Sequence, residues 1–85
     1  MKLSSNIIIE KTRDGSIVLD MTKGQFFKLN STGKHILELI KNDMPLEKVI
    51  ERLNDSYENF SEVEATDFIE EMISKGVIIE SKTSS

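Results

Sequence analysis

The sequence predicts an α+β fold: a three-stranded antiparallel β-meander followed by a three-helix bundle, winged-helix-like in outline. Three observations carry that prediction. Two short β-branched runs, Ile7-Ile8-Ile9 and Ile17-Val18-Leu19, flank an Asp14-Gly15 turn. The stretch Gln25-Phe26-Phe27-Lys28-Leu29-Asn30-Ser31-Thr32-Gly33 reads as a last strand running directly into a first helix. Beyond it, apolar residues recur at helical spacing, with start and stop signals around each run.

Met1 to Ser5 is expected to be frayed, as chain ends usually are. Asn6 to Lys11 is the first strand. Arg13 to Ser16 turns the chain, with Asp14 and Gly15 expected to take the positive φ of a tight hairpin. Ile17 to Asp20 is the second strand. Met21 to Gly24 turns the chain again, and Gln25 to Leu29 is the third strand. Short connections make the order one, two, three. Phe27 and Leu29 share one face of the third strand, and Phe26 and Lys28 share the other. The first pair is expected to face the helices.

Asn30 or Ser31 can cap the first helix, whose apolar stripe is Ile36, Leu37 and Ile40, with Leu39 beside it. Asp43-Met44-Pro45 breaks the chain. Leu46, Val49, Ile50 and Leu53 form the second stripe, with Pro45 tolerated at the first turn. Asn54 to Ser56 stops this helix, and Tyr57 and Phe60 follow in a loop, as plugs for the core or as a contact site. Ser61 and Glu64 have the spacing of a capping box, in which each side chain bonds the other's backbone N–H. The third helix runs to about Lys75 on a stripe of Ala65, Ile69, Met72 and Ile73, and Gly76 stops it. Val77 to Glu80 is a candidate last strand, and Lys82 to Ser85 reads as a tail.

The chain has 85 residues, enough for one domain with a small core and no second domain. The net charge of -4 argues against nucleic acid, whose phosphates are held by clustered Lys and Arg. There is no cysteine, hence no disulfide or thiolate chemistry. No apolar run is long enough to span a bilayer, and Met1 to Asn6 lacks the features of a signal peptide. A cytoplasmic protein that needs no cofactor and no membrane is expected.

No catalytic constellation is present. His35 is the sole histidine, with no matched ligands around it, and reads as a surface or structural residue. Gly24 and Gly33 do not make a phosphate loop, and no Ser or Thr stands beside a base in the sequence. Function therefore has to come from surfaces. A strand that leads straight into a helix leaves its outer edge open to an added peptide strand. Only Lys28 blunts that edge. The third helix carries Glu62, Glu64, Asp67, Glu70 and Glu71 against Lys75 alone. That composition suits a solvated face with favourable acids at the helix N-terminus, and equally a charged rim of a peptide groove. It argues against a recognition helix in the major groove of DNA, the remote alternative that a winged-helix outline raises.

Leu29-Asn30-Ser31-Thr32-Gly33 followed by Ile36-Leu37-Glu38-Leu39-Ile40 resembles the "LN-x-T-G-x-x-I-W-x-L-L" segment of PqqD-like proteins. Leu46 to Ile50 resembles that family's second helix. Glu64-Ala65, Phe68-Ile69, Met72 and Gly76-Val77-Ile78 resemble its third helix and exit. The resemblance covers about residues 6 to 80 and departs at Leu37, where many relatives carry Trp. The position stays apolar.

The resemblance implies a RiPP recognition element, a domain that binds the leader of a ribosomally made, later modified precursor peptide and presents it to modifying enzymes. In such domains the leader pairs with the third strand and lies against the third helix. Carried onto this sequence, the peptide-binding residues are Gln25, Phe26, Phe27, Lys28 and Leu29 on the strand. On the helix they are Glu64, Asp67, Phe68, Glu71, Met72 and Lys75. A free-standing domain of this size resembles the leader-binding partner of lasso-peptide pathways, which delivers the precursor to a separate leader peptidase. The alternative is a PqqD-type peptide chaperone for a radical SAM enzyme. On either reading the domain is not an enzyme.

Overall fold

The computed structural model describes residues 1–80, and the tail from Lys82 to Ser85 lies outside them. The chain runs β1 (Lys2–Leu3), β2 (Ile7–Thr12), β3 (Gly15–Asp20), β4 (Gln25–Leu29), α1 (Ser31–Lys41), α2 (Leu46–Ser56), α3 (Glu62–Ser74) and β5 (Ile78–Ile79). The antiparallel sheet β2-β3-β4 and the three helices are those the sequence predicts.

The N-terminus departs from expectation. Lys2 and Leu3 are not frayed but pair antiparallel with Ile79 and Ile78 as a second, two-stranded sheet. Ser4 N–H donates to the Val77 carbonyl at 2.9 Å. Met1 and Leu3 pack against the core, so apolar contact and backbone bonds together hold the chain end.

The first hairpin turns one residue earlier than Asp14-Gly15 suggests. Arg13 and Asp14 are the two turn residues, Thr12 pairs with Gly15, and only Gly15 takes a positive φ, of 147°. In the second connection the buried Asp20 carboxylate accepts from the N–H groups of Thr22 and Lys23, at 3.0 and 3.1 Å. That side chain imitates a backbone turn and fixes the entry to β4.

Capping explains the helix boundaries. Asn30, rather than Ser31, caps α1: its Oδ1 accepts from Gly33 N–H at 2.7 Å. Ser61 Oγ accepts from Glu64 N–H at 3.2 Å, but among the bonds formed Glu64 makes no return bond, so the capping box is only half closed. Both α1 and α3 end in the same left-handed device. Asp43 N–H bonds the Ile40 carbonyl and Met44 N–H that of Leu39. Gly76 N–H bonds that of Ile73 and Val77 N–H that of Met72. Asp43 and Gly76 sit at φ 63° and 79°. The second of these turns throws Val77 and Ile78 back into the core, where β5 meets β1.

The core lies between the inner sheet face and the helices. Val18, Ile36, Leu37, Ile40, Val49, Leu53, Val77 and Ile78 are fully buried. Leu39 joins the buried set, whereas Leu46, expected in the α2 stripe, is exposed at the start of that helix. Leu29 is buried, Phe27 half-buried, and Phe26 and Lys28 exposed, so β4 turns the face toward the helices that the alternation predicts.

Candidate functional site

The register shows which backbone groups β4 leaves free. A two-residue turn makes Thr12 and Gly15 a hydrogen-bonded pair, and the bonded pairs then recur every second residue. Met21 N–H donating to the Asn6 carbonyl at 2.9 Å continues the same set. Residues 15, 17 and 19 therefore bond toward β2, and residues 16, 18 and 20 toward β4. Their partners are Leu29, Phe27 and Gln25. The N–H and C=O groups of Phe26 and Lys28 point away from β3. Because β4 is an end strand of its sheet, those four groups stand at an open edge.

α3 passes β4 in the opposite sense, with Lys75 toward Phe27 and Phe68 toward the residues that follow Leu29. Lys75 Nζ lies 4.9 Å from the centre of the Phe27 ring, within cation–π range. Lys23 Nζ, in the β3–β4 turn, donates to the Lys75 carbonyl at 3.1 Å. At the other end Phe68 touches the start of α1. A methyl group placed on Gly33 would come within 3.2 Å of the Phe68 ring. Gly33 is thus a point of close approach between α1 and α3.

A cavity of 340 Å³ opens there, just beyond the last residue of β4. Asn30 and Gly33 line it on the α1 side, Tyr57 and Phe60 on the loop side, and Glu64 and Phe68 on α3. Tyr57 and Phe60 therefore pack on the core and also wall the cavity. His35 is tied into this wall: its Nδ1 lies 3.2 Å from the Tyr57 hydroxyl, with the two rings edge to face. That contact accounts for the histidine as a structural residue.

Glu64, Phe68, Glu71 and Lys75 follow one another at helical spacing along a single stripe of α3. Three of them meet β4, α1 or the cavity directly. Glu71 joins through an ion pair to Lys75 at 3.8 Å. The other site residues fall elsewhere. Asp67 borders a separate shallow hollow with Glu62, Val63 and Thr66, so it stands to the outer side of the stripe. Met72 and Leu29 are buried, at 3% and 7% exposure, and their side chains belong to the core rather than to a surface. Phe26 points to the far face of the sheet and offers the edge only its backbone. Asn30, Tyr57, Glu58 and Phe60 were not among the sequence-derived site residues. Their sequence signals were the adjacency of the Asn30 cap to the last strand and the two loop aromatics, Tyr57 and Phe60.

Among the described residues no cluster of His, Cys, Asp or Glu could hold a metal ion. No helix among them is long and apolar enough to cross a membrane.

Comparison with known proteins bears on the fold. The solved structure of TbiB1 in complex with the TbiA(beta) leader peptide superposes with a TM-score of 0.79 at 20% identity, covering 96% of this chain and 100% of that one. Lasso peptide synthetase B1 complexed with the leader peptide superposes with a TM-score of 0.77 at 20% identity, covering 93% and 96%. At that identity the fold is what is shared. No match to a curated protein sequence was found. The profile of the family described as coenzyme PQQ synthesis protein D (PqqD) matches residues 15–78, well over half of the sequence. From β3 to the start of β5 the match takes in the elements that build the open edge, and this chain belongs to the PqqD family.

Proposed function

We propose that this protein is a leader-peptide recognition element of a lasso-peptide-type biosynthetic pathway. It takes the leader of a ribosomally made precursor as a strand added to the open edge of β4, between β4 and the Glu64–Lys75 stripe of α3. It then presents the precursor to a separate modifying enzyme or leader peptidase in the cytoplasm, where such precursors are made. It is itself a binding partner and performs no reaction. The observation that carries this reading is the free N–H and C=O groups of Phe26 and Lys28 at the open edge of β4, in a fold whose solved neighbours are each held with a leader peptide. Main-chain bonds at that edge supply affinity, and the cavity beside Phe68 supplies side-chain selection.

The family match supports a second reading, in which the leader is carried to a radical SAM enzyme as in PQQ synthesis. Both readings are tested by titrating the protein calorimetrically with leaders of precursors encoded beside it. Saturable one-to-one binding by one class of leader is expected and names the pathway. Absence of binding by every such leader would overturn the proposal.

A further inference from the structure

The groove offers different charged groups at its two ends, Glu58 and Glu64 at one and Lys75 at the other. The cavity beyond Leu29 lies where the N-termini of α1 and α3 converge, and the carboxylates of Glu58 and Glu64 line it with no Lys or Arg among the lining residues. Each helix start contributes roughly half a positive charge. Asn30 Oδ1 and Ser61 Oγ already occupy one N–H of each start. Two full negative charges outweigh what remains. The nearby cations Lys11 and Lys34 line a different hollow, between the first hairpin and α1, and Lys34 is paired with Glu38 at 3.8 Å.

At the Gln25 end stand two ammonium groups, and the Asp20 carboxylate beside them is buried and taken up by the Thr22 and Lys23 N–H groups. Lys75 lies over Phe27, and Lys23 is bonded to the Lys75 carbonyl. Lys75 also pairs with Glu71 at 3.8 Å, with both side chains partly or largely exposed. An exposed pair of this kind holds weakly, so its ammonium can turn to a peptide carboxylate instead.

Resting on the strand-addition reading above, we propose that this groove selects a peptide by the order of its charges. The bound segment carries a Lys or Arg toward its N-terminus and an Asp or Glu toward its C-terminus. The direction follows from pairing. An antiparallel strand bonds more favourably than a parallel one, and on β4 it runs from the Leu29 end to the Gln25 end. Its N-terminal part therefore reaches Glu58 and Glu64, and its C-terminal part reaches Lys75. The five residues of β4 span about 17 Å, and side chains on one face recur every second residue. The cation and the acid thus stand an even number of residues apart, about four to six.

The probe is a displayed library of random twelve-residue peptides, selected on the intact protein. The expected result is enrichment of peptides with Lys or Arg before a β-forming centre and Asp or Glu after it. The double variant Glu58→Lys/Glu64→Lys should lose or reverse the N-terminal preference, and Lys75→Glu the C-terminal one. A winning peptide should bind each about tenfold more weakly, because an attraction becomes a repulsion of similar size. Parallel selections on Lys28→Pro and on Phe68→Ala, each checked for folding by circular dichroism, separate the two levels of the proposal. Peptides that vanish on either folded groove variant but show no charge order, or the reverse order, overturn the charge rule and leave strand addition standing. Peptides that persist on both, or no enrichment at all, overturn both.

Discussion

Replacing Lys28 by proline is the sharpest test of the edge, because two neighbouring positions on one strand should behave oppositely. The register directs the Lys28 N–H outward, whereas that of Phe27 is bonded to Val18 on β3. Proline at 28 removes no bond of the sheet, and an edge strand tolerates it. Its ring constrains φ to near −65°, away from the usual strand value, so a modest stability loss of about 1 kcal/mol is expected. For the peptide the change is larger. One main-chain bond worth about 0.5–1.5 kcal/mol is lost, and a peptide carbonyl is left facing the ring, at a further cost of roughly 1–3 kcal/mol. Together these weaken binding by about 1.5–4.5 kcal/mol, or roughly 10- to 2000-fold. Proline at Phe27 should instead break a ladder bond and the half-buried ring packing, destabilising the fold by about 3 kcal/mol or more. Leader affinity by calorimetry and melting by circular dichroism separate the two, with Lys28→Ala as the control for the lost charge. A Lys28→Pro protein that is folded and binds leader with native affinity would refute the edge. So would a Phe27→Pro protein that is as stable as the Lys28 variant.

Further outcomes follow from the same geometry. Phe68→Ala should weaken leader binding by about 1–3 kcal/mol, as for an aromatic anchor in an interface, and should cost less stability than Ile69→Ala. Ile40→Ala and Ile69→Ala should each lose about 2–4 kcal/mol in denaturant titration, and near-neutral values would place the core elsewhere. Gly33→Ala puts a methyl group 3.1 Å from Asn30 Oδ1 and 3.2 Å from the Phe68 ring. The gain in helix propensity, up to about 1 kcal/mol, offsets that crowding, so stability should change little while the displaced ring weakens peptide binding. Purified protein incubated with its precursor alone should leave the peptide mass unchanged; a mass change that tracks the protein would show chemistry of its own.

The sequence by itself determined the elements and their order, because the signals for them are local. β-branched runs, the Asn30 and Ser61 caps and the Gly76 stop each act over three or four residues, and tertiary packing did not override them. Alternation along Gln25 to Leu29 likewise identified the face that meets the helices, since a strand with one buried face admits only one register. What the tertiary structure decided depends on residues far apart in the chain. Two-residue strands carry no periodic pattern, so the pairing of Lys2–Leu3 with Ile78–Ile79 emerges only when the two ends of the chain meet over the core. The first hairpin was displaced by one residue because pairing with β3 set the turn at Arg13-Asp14. Among the candidate residues of α3, spacing alone could not say that Asp67 stands outside the stripe. Nor could it say that Glu64 forgoes its capping bond and borders a cavity, or that Lys75 lies over Phe27. Those roles depend on how α3 packs at the strand–helix junction, which brings Phe68 against Gly33 and Lys75 over Phe27.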